Sequence, residues 1–121
     1  MELEQLNRNF AVCKLESAQD IDFSKAFTFL SITDDEISLV CEERFVPANI
    51  TAIEKGWKGL KISGMLDFGM IGVIAKIAGL LAEQKISIFV ISTFNTDYIL
   101  LKSEHYEKAI AILRQNEYRI R

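Results

Sequence analysis

Ser92-Thr93-Phe94-Asn95-Thr96-Asp97-Tyr98-Ile99-Leu100 is the stretch on which the fold turns. Upstream, Ile86 to Thr93 is a β-rich run interrupted only by serines, and Tyr98 to Lys102 is a second β-rich run. Between them stand Phe94-Asn95-Thr96-Asp97, whose polar side chains bond readily to nearby backbone. The pattern predicts a hairpin.

Working outward toward the C-terminus, Glu104 to Asn116 carries Tyr106, Ala109, Ile110 and Leu113 on one face. Acids lie early and Arg114 late, as a helix dipole prefers. Tyr118-Arg119-Ile120 then offers a last short strand. Toward the N-terminus, Met70, Val73, Ile74, Ile77, Ala78 and Leu81 recur at helical spacing, with Lys76, Glu83 and Gln84 on other faces or at the end. This predicts an amphipathic helix packed on a sheet. The loop Met65-Leu66-Asp67-Phe68-Gly69 precedes it, and before that Gly59 to Gly64 reads as a short strand bounded by glycines. From Leu60 to Ile120 the order is β, α, β, β, α, β, the split βαβ or ferredoxin-like arrangement.

The first half repeats part of this plan. Phe10 to Leu15 reads as a strand, and Phe27 to Ile32 and Glu36 to Cys41 as two more around the turn Thr33-Asp34-Asp35. After Pro47, Thr51 and Glu54 have capping-box spacing, which predicts a short helix over Asn49 to Lys55 ended by Gly56. Phe29 to Ile37 can be laid over Val90 to Tyr98 as an internal repeat, but the first half has little room for a full first helix. The expected organisation is α+β, an abbreviated unit at 1–56 and a complete one at 57–121, each with an antiparallel sheet and helices on one face.

Composition removes several classes of function. The 14 Lys and Arg against 17 Asp and Glu give a net charge of -3, with the basic residues scattered, so no nucleic-acid partner is expected. The acidic start Met1-Glu2-Leu3-Glu4 is unlike a secretory signal, and the apolar stretch from Met70 to Ala82 is too short to span a bilayer. A cytoplasmic protein with no membrane partner is the expectation. Cys13 and Cys41 lie far apart in apolar segments and read as buried, reduced thiols. His105 is the only histidine and stands among acids at a helix start, so no metal site or cofactor is expected. No nucleophile with its base and no phosphate loop is present, which points away from an enzyme with catalytic residues.

The second half resembles the ACT domain family, and more closely the tandem ACT modules of aspartate kinases, stand-alone bacterial ACT proteins and cytosolic arginine sensors. The resemblance rests on Leu66-Asp67-Phe68-Gly69, on Ile74-Ala75-Lys76-Ile77-Ala78-Gly79, and above all on Ile91 to Leu100. It implies binding of a small effector, usually an amino acid, at an interface between ACT units. It also implies a regulatory role and a homodimer or higher homo-oligomer. The ligand would lie between Asp67, Phe68, Gly69, Met70 and Ile71 on one side and Ser92, Thr93, Phe94, Asn95, Thr96 and Asp97 on the other. The order Asp67-Phe68-Gly69 differs from that of the arginine sensors, which leaves the effector's side chain open.

These residue types suit such a ligand. A free amino acid presents a carboxylate and an ammonium together. Unpaired N–H groups near Gly69 to Gly72 would receive the carboxylate, while Asp67 and Asp97 would receive the ammonium or a basic side chain. The same residues also occur in ordinary turns, where Asp67 bonds to its own loop. The alternative function is therefore an ACT-type scaffold for oligomerisation or protein interaction that binds no ligand.

Overall fold

A computed structural model describes residues 1–63 and 72–121. The elements run β1 (Glu2–Leu15), β2 (Phe29–Ile32), β3 (Ile37–Glu42), a 3-10 turn (Glu43–Phe45), β4 (Ile50–Ile62), α1 (Val73–Glu83), β5 (Phe89–Ser92), β6 (Asp97–Lys102), α2 (Ser103–Gln115) and β7 (Arg119–Ile120). From β4 onward this is the expected β, α, β, β, α, β order. The chain forms two compact units, one of residues 8–57 and the other of residues 1–7 with 58–121.

In the unit of residues 8–57 the strand order is β2-β3-β1-β4. β1 and β3 pair antiparallel from Phe10↔Glu42 to Leu15↔Ile37, and β2 and β3 from Phe29↔Val40 to Ile32↔Ile37. Alternation along β1 sends Ala11, Cys13 and Leu15 into a core shared with Ile21, Leu39 and Cys41. Both thiols are reduced and buried, as expected. On β1 and β3, Arg8 Nη1 meets Glu42 Oε2 at 2.8 Å, and Arg44 Nε lies 3.5 Å from the other carboxylate oxygen. The Arg8 guanidinium also covers the Phe27 ring at 4.4 Å, and that ring meets Phe10 and Phe29 edge to face. Phe27 has a positive φ of 59°, a strained backbone for an aromatic residue, held by these contacts.

Two expectations for this region are corrected. The segment Asn49 to Lys55 is not a short helix; from Ile50 it is strand, because β1 offers its backbone a pairing partner while Ile50 and Ile53 pack against the core of this unit. The Thr51 hydroxyl, the supposed cap, instead donates to the Lys14 carbonyl at 3.3 Å. Gly56 does not end an element but lies within β4 at φ 82°, its N–H donating to the Glu43 carboxylate at 2.9 Å. β1 is also far longer than Phe10 to Leu15, starting at Glu2.

In the other unit the strand order is β7-β1-β4-β6-β5. The fourth strand of the βαββαβ sequence, β7, is separated from the first, β4, by the start of β1. The β7 pairing is parallel, Glu2↔Arg119 and Leu3↔Ile120, so this sheet is not wholly antiparallel as expected. α1 and α2 pack on one face of it. Ile77 and Leu81 of α1 and Tyr106, Ala109, Ile110 and Leu113 of α2 share a core with Leu3, Leu60, Ile62, Ile99, Leu101 and Ile120.

Both helices end in the same way. Ile86 N–H reaches Leu81 C=O and Lys85 N–H reaches Ala82 C=O; Tyr118 N–H reaches Leu113 C=O and Glu117 N–H reaches Arg114 C=O. Lys85 and Glu117 take left-handed φ values of 59° and 69°, which makes each terminus a Schellman motif without its usual glycine. Ile86 and Tyr118 follow directly and enter the core, so the caps also aim the chain into β5 and β7.

The two hairpins match in register, though by one residue less than the overlay of sequences suggested. Phe29 pairs with Val40 as Phe89 pairs with Leu100, and Ile32 with Ile37 as Ser92 with Asp97. Phe29 therefore corresponds to Phe89, not Val90. The alignment of Ser31 with Ser92 misleads because a one-residue slip exchanges the faces of a strand.

Candidate functional site

The hairpin residues expected to bind a ligand come together at one turn. Ser92 closes β5 opposite Asp97, the first residue of β6. Thr93 N–H donates to the Thr96 carbonyl at 2.8 Å, and the Thr93 hydroxyl donates to the same carbonyl at 2.9 Å while accepting from Thr96 N–H at 3.4 Å. These bonds close the turn on itself. Phe94 and Asn95 project from it, Phe94 being 79% exposed, and Ser92 and Thr93 are exposed as well. Asp97 is half-buried.

Thr96 departs from its neighbours. Its side chain is 4% exposed, and its hydroxyl donates to the Ile62 carbonyl at 2.7 Å. The proton that would serve a ligand is committed to the end of β4. Nothing in the local pattern separates Thr96 from Thr93; only the strand order, which sets β4 beside β6, does so.

Asp67, Phe68, Gly69, Met70 and Ile71, the other expected half of the site, lie outside the described residues. Their flanks are described. On one side Ser63 N–H donates to the Glu2 carbonyl at 2.9 Å, and Arg121 reaches both the Ser63 hydroxyl at 3.3 Å and the Glu2 carboxylate at 3.2 Å. On the other, Gly72 starts α1 at φ 80°, and its carbonyl accepts from Lys76 N–H at 2.9 Å.

Sequence reasoning placed a ligand carboxylate near Gly69 to Gly72, but did not find the cavity that distant residues form at this helix start. It has a volume of about 310 Å³ and is lined by residues that include Met1, Gly72, Val73, Lys76, Glu117 and Tyr118. The first turn of α1 carries no acidic side chain to offset the partial positive charge of its N–H groups, while Glu117 brings one carboxylate to the cavity wall. Lys76 adds a full charge, its Nζ 5.9 Å from the centre of the Tyr118 ring. Such an end favours an anion such as a carboxylate. Met1 and Tyr118 enter the cavity only because β1 and β7 pair.

Among the described residues no helix is long and apolar enough to cross a membrane. His105 sits in the first turn of α2, 3.8 Å from the Glu104 carboxylate. Burial pushes the Tyr106 phenol up to about 12, with Glu107 adding to the effect, and its oxygen lies 3.3 Å from Gln5 Oε1.

Comparison with known proteins agrees with this architecture. A family model described as the ACT domain matches residues 52–115. The bovine cytosolic arginine sensor for mTORC1 subunit 1 is 31% identical over 101 residues, covering 78% of this chain and 31% of the sensor. The chain thus spans about a third of the length of the curated relatives it matches. The crystal structure of Atu0741 from Agobacterium tumefaciens superimposes with a TM-score of 0.86 at 28% identity, covering 99% of this chain and 91% of that one. The ligand-free regulatory subunit of aspartate kinase from Thermus thermophilus shares the fold with a TM-score of 0.62 at 9% identity, covering 93% and 95%. With the family match spanning more than half its residues, the chain belongs to the ACT domain family.

Proposed function

We propose that this chain is a non-catalytic regulatory protein that binds a small effector, an amino acid, against the turn Ser92 to Asp97 and the segment Asp67 to Ile71. The observation that carries the reading is the turn itself: closed by its own hydrogen bonds, it leaves Thr93, Phe94 and Asn95 exposed at the tip. Family membership and the roles of relatives, an arginine sensor and a regulatory subunit of aspartate kinase, support it. The acid-free start of α1 beside Lys76 suits the effector's carboxylate, and Asp97 suits its ammonium.

The chain would act as a homodimer or higher homo-oligomer in the cytosol, its two compact units being tandem ACT-like units of which the first is abbreviated. Between β1 and β2, and between β3 and β4, residues 16–28 and 43–49 hold no α-helix, which supports that description.

Thermal melts with each of the twenty amino acids, followed by calorimetry, test the reading. Selective binding to the folded state raises Tm for at least one of them. No shift at millimolar concentrations together with no calorimetric heat would overturn it in favour of an assembly scaffold.

A further inference from the structure

We infer that Thr96 is a positioning residue of this turn: by donating its hydroxyl to the Ile62 carbonyl it sets where the backbone of Thr93, Phe94 and Asn95 stands for the effector. The inference rests on the proposed amino-acid binding and goes beyond it by taking Thr96 out of the set of ligand contacts and giving it a different task.

Three observations carry it. Glu42 and Thr96 are the two buried polar or charged side chains among the described residues, so a hydroxyl has been placed where an apolar group would ordinarily stand. Its bond at 2.7 Å joins residues far apart in sequence and reaches the last residue of β4. Thr96 also makes three bonds to Thr93 that close the turn, accepting twice at its carbonyl and donating once from its N–H, so what fixes Thr96 bears directly on the tip.

The hairpin β2–β3 supplies the control. Thr33 closes its turn on Glu36 with the same three bonds, 3.0 Å from N–H and 3.3 Å from the hydroxyl to the Glu36 carbonyl, with Glu36 N–H returning at 3.2 Å, and with a further bond from Asp35 N–H to the Thr33 hydroxyl at 3.2 Å. Glu36 is exposed, and no side-chain hydrogen bond from it is seen among the described residues. The self-closed turn therefore forms without an anchor, and closing the turn does not explain the buried hydroxyl of Thr96. Fixing the tip relative to the end of β4 does.

The test compares Thr96→Val, which keeps shape and removes the donor, with Thr96→Ser, which keeps the donor. Ile110→Val, in the core of the same unit and away from the turn, serves as a control for general destabilisation. Amide exchange is followed at Thr93 and Thr96, and affinity is measured by calorimetry well below Tm for each amino acid that binds the wild-type chain. Thr96→Val is expected to speed exchange at both amides and to weaken binding at least tenfold. Thr96→Ser should stay within about threefold of wild type, and Ile110→Val should leave affinity unchanged. Unchanged binding by Thr96→Val, or equal weakening by Ile110→Val, overturns the inference alone. Absence of binding by the wild-type chain overturns the proposed function, and the inference with it.

Discussion

The hairpins β2–β3 and β5–β6 share a register and a turn closed by a threonine hydroxyl, yet one carries Asp34, Asp35 and Glu36 at its tip and the other Phe94, Asn95 and Thr96. The acidic tip is exposed throughout. The second tip exposes an aromatic ring and buries a hydroxyl. Behind the tips the difference continues: Cys41 stands on β3 where Leu101 stands on β6, and the chain leaves β3 through a three-residue 3-10 turn but leaves β6 through the thirteen-residue α2. The same backbone unit thus serves two tasks. Where a helix covers the sheet, large aliphatic side chains fill the space beneath it; where none does, a smaller core with two thiols suffices.

The largest expected break in this parallel comes from truncating the paired core positions. Leu101→Ala should cost about 3 kcal/mol by removing a fully buried side chain beneath the helices, whereas Cys41→Ala should cost about 1 kcal/mol because less volume is lost. Urea denaturation of both variants measures the difference.

Alkaline pH should sharpen the contrast by striking the thiol before the phenol. Burial pushes Cys41 from its ordinary 9.0 up to about 12, with Cys13 and Glu42 adding, and Tyr106 from 10.0 up to about 12. In each case the unfolded group loses its proton first while the folded group keeps it. The stabilising contribution is present below the unfolded value and is lost as pH rises through the folded one. Tm should therefore begin to fall above pH 9; Cys41→Ala should make that fall shallower, and because burial also raises the Cys13 thiol, only Cys13→Ala combined with Cys41→Ala should delay it toward pH 10.

Thr96→Val should destabilise by about 1 to 2 kcal/mol because the buried Ile62 carbonyl loses its donor. Glu36→Thr, the reciprocal exchange in the exposed turn, should stay within about 0.5 kcal/mol of wild type. Equal effects would show the two turns to be equivalent after all.

The smallest effects should be gains, confined to the unit that has helices. Glu117→Gly should add about 0.5 to 1 kcal/mol by relieving a left-handed residue at a helix end. Gly79→Ala, mid-helix with open space around the position of a Cβ, should add a similar amount. Thermal melts resolve both.

Much of this architecture was readable from periodicity. Both hairpins, both helices and the last strand are local patterns, and local patterns are what a sequence displays. The failures come from pairings between distant segments. Glu2 to Asn9 alternates polar side chains with little apolar content and becomes strand through its neighbours in the sheet. Thr51 and Glu54 have the spacing of a capping box, but β1 offered Ile50 to Lys55 a strand partner, and Thr51 spent its hydroxyl on Lys14. At the candidate site the turn residues were found by type and position. The special standing of Thr96 was not, because its acceptor, the Ile62 carbonyl, comes from another strand, and a backbone acceptor leaves no mark in sequence.

The parallel pairing of Glu2 and Leu3 with Arg119 and Ile120 has a kinetic meaning. Hairpin and helix contacts in this unit are between near neighbours in sequence and form quickly. The strand that completes the sheet joins segments from opposite ends of the described chain and carries the highest contact order in the molecule. Closure of the sheet is therefore expected to follow assembly of the β5–β6 hairpin with its helices. Leu3→Ala should then speed unfolding while leaving the refolding rate nearly unchanged, as stopped-flow measurements would show. The turn proposed to meet the effector is thus built early, on a sheet that is sealed late.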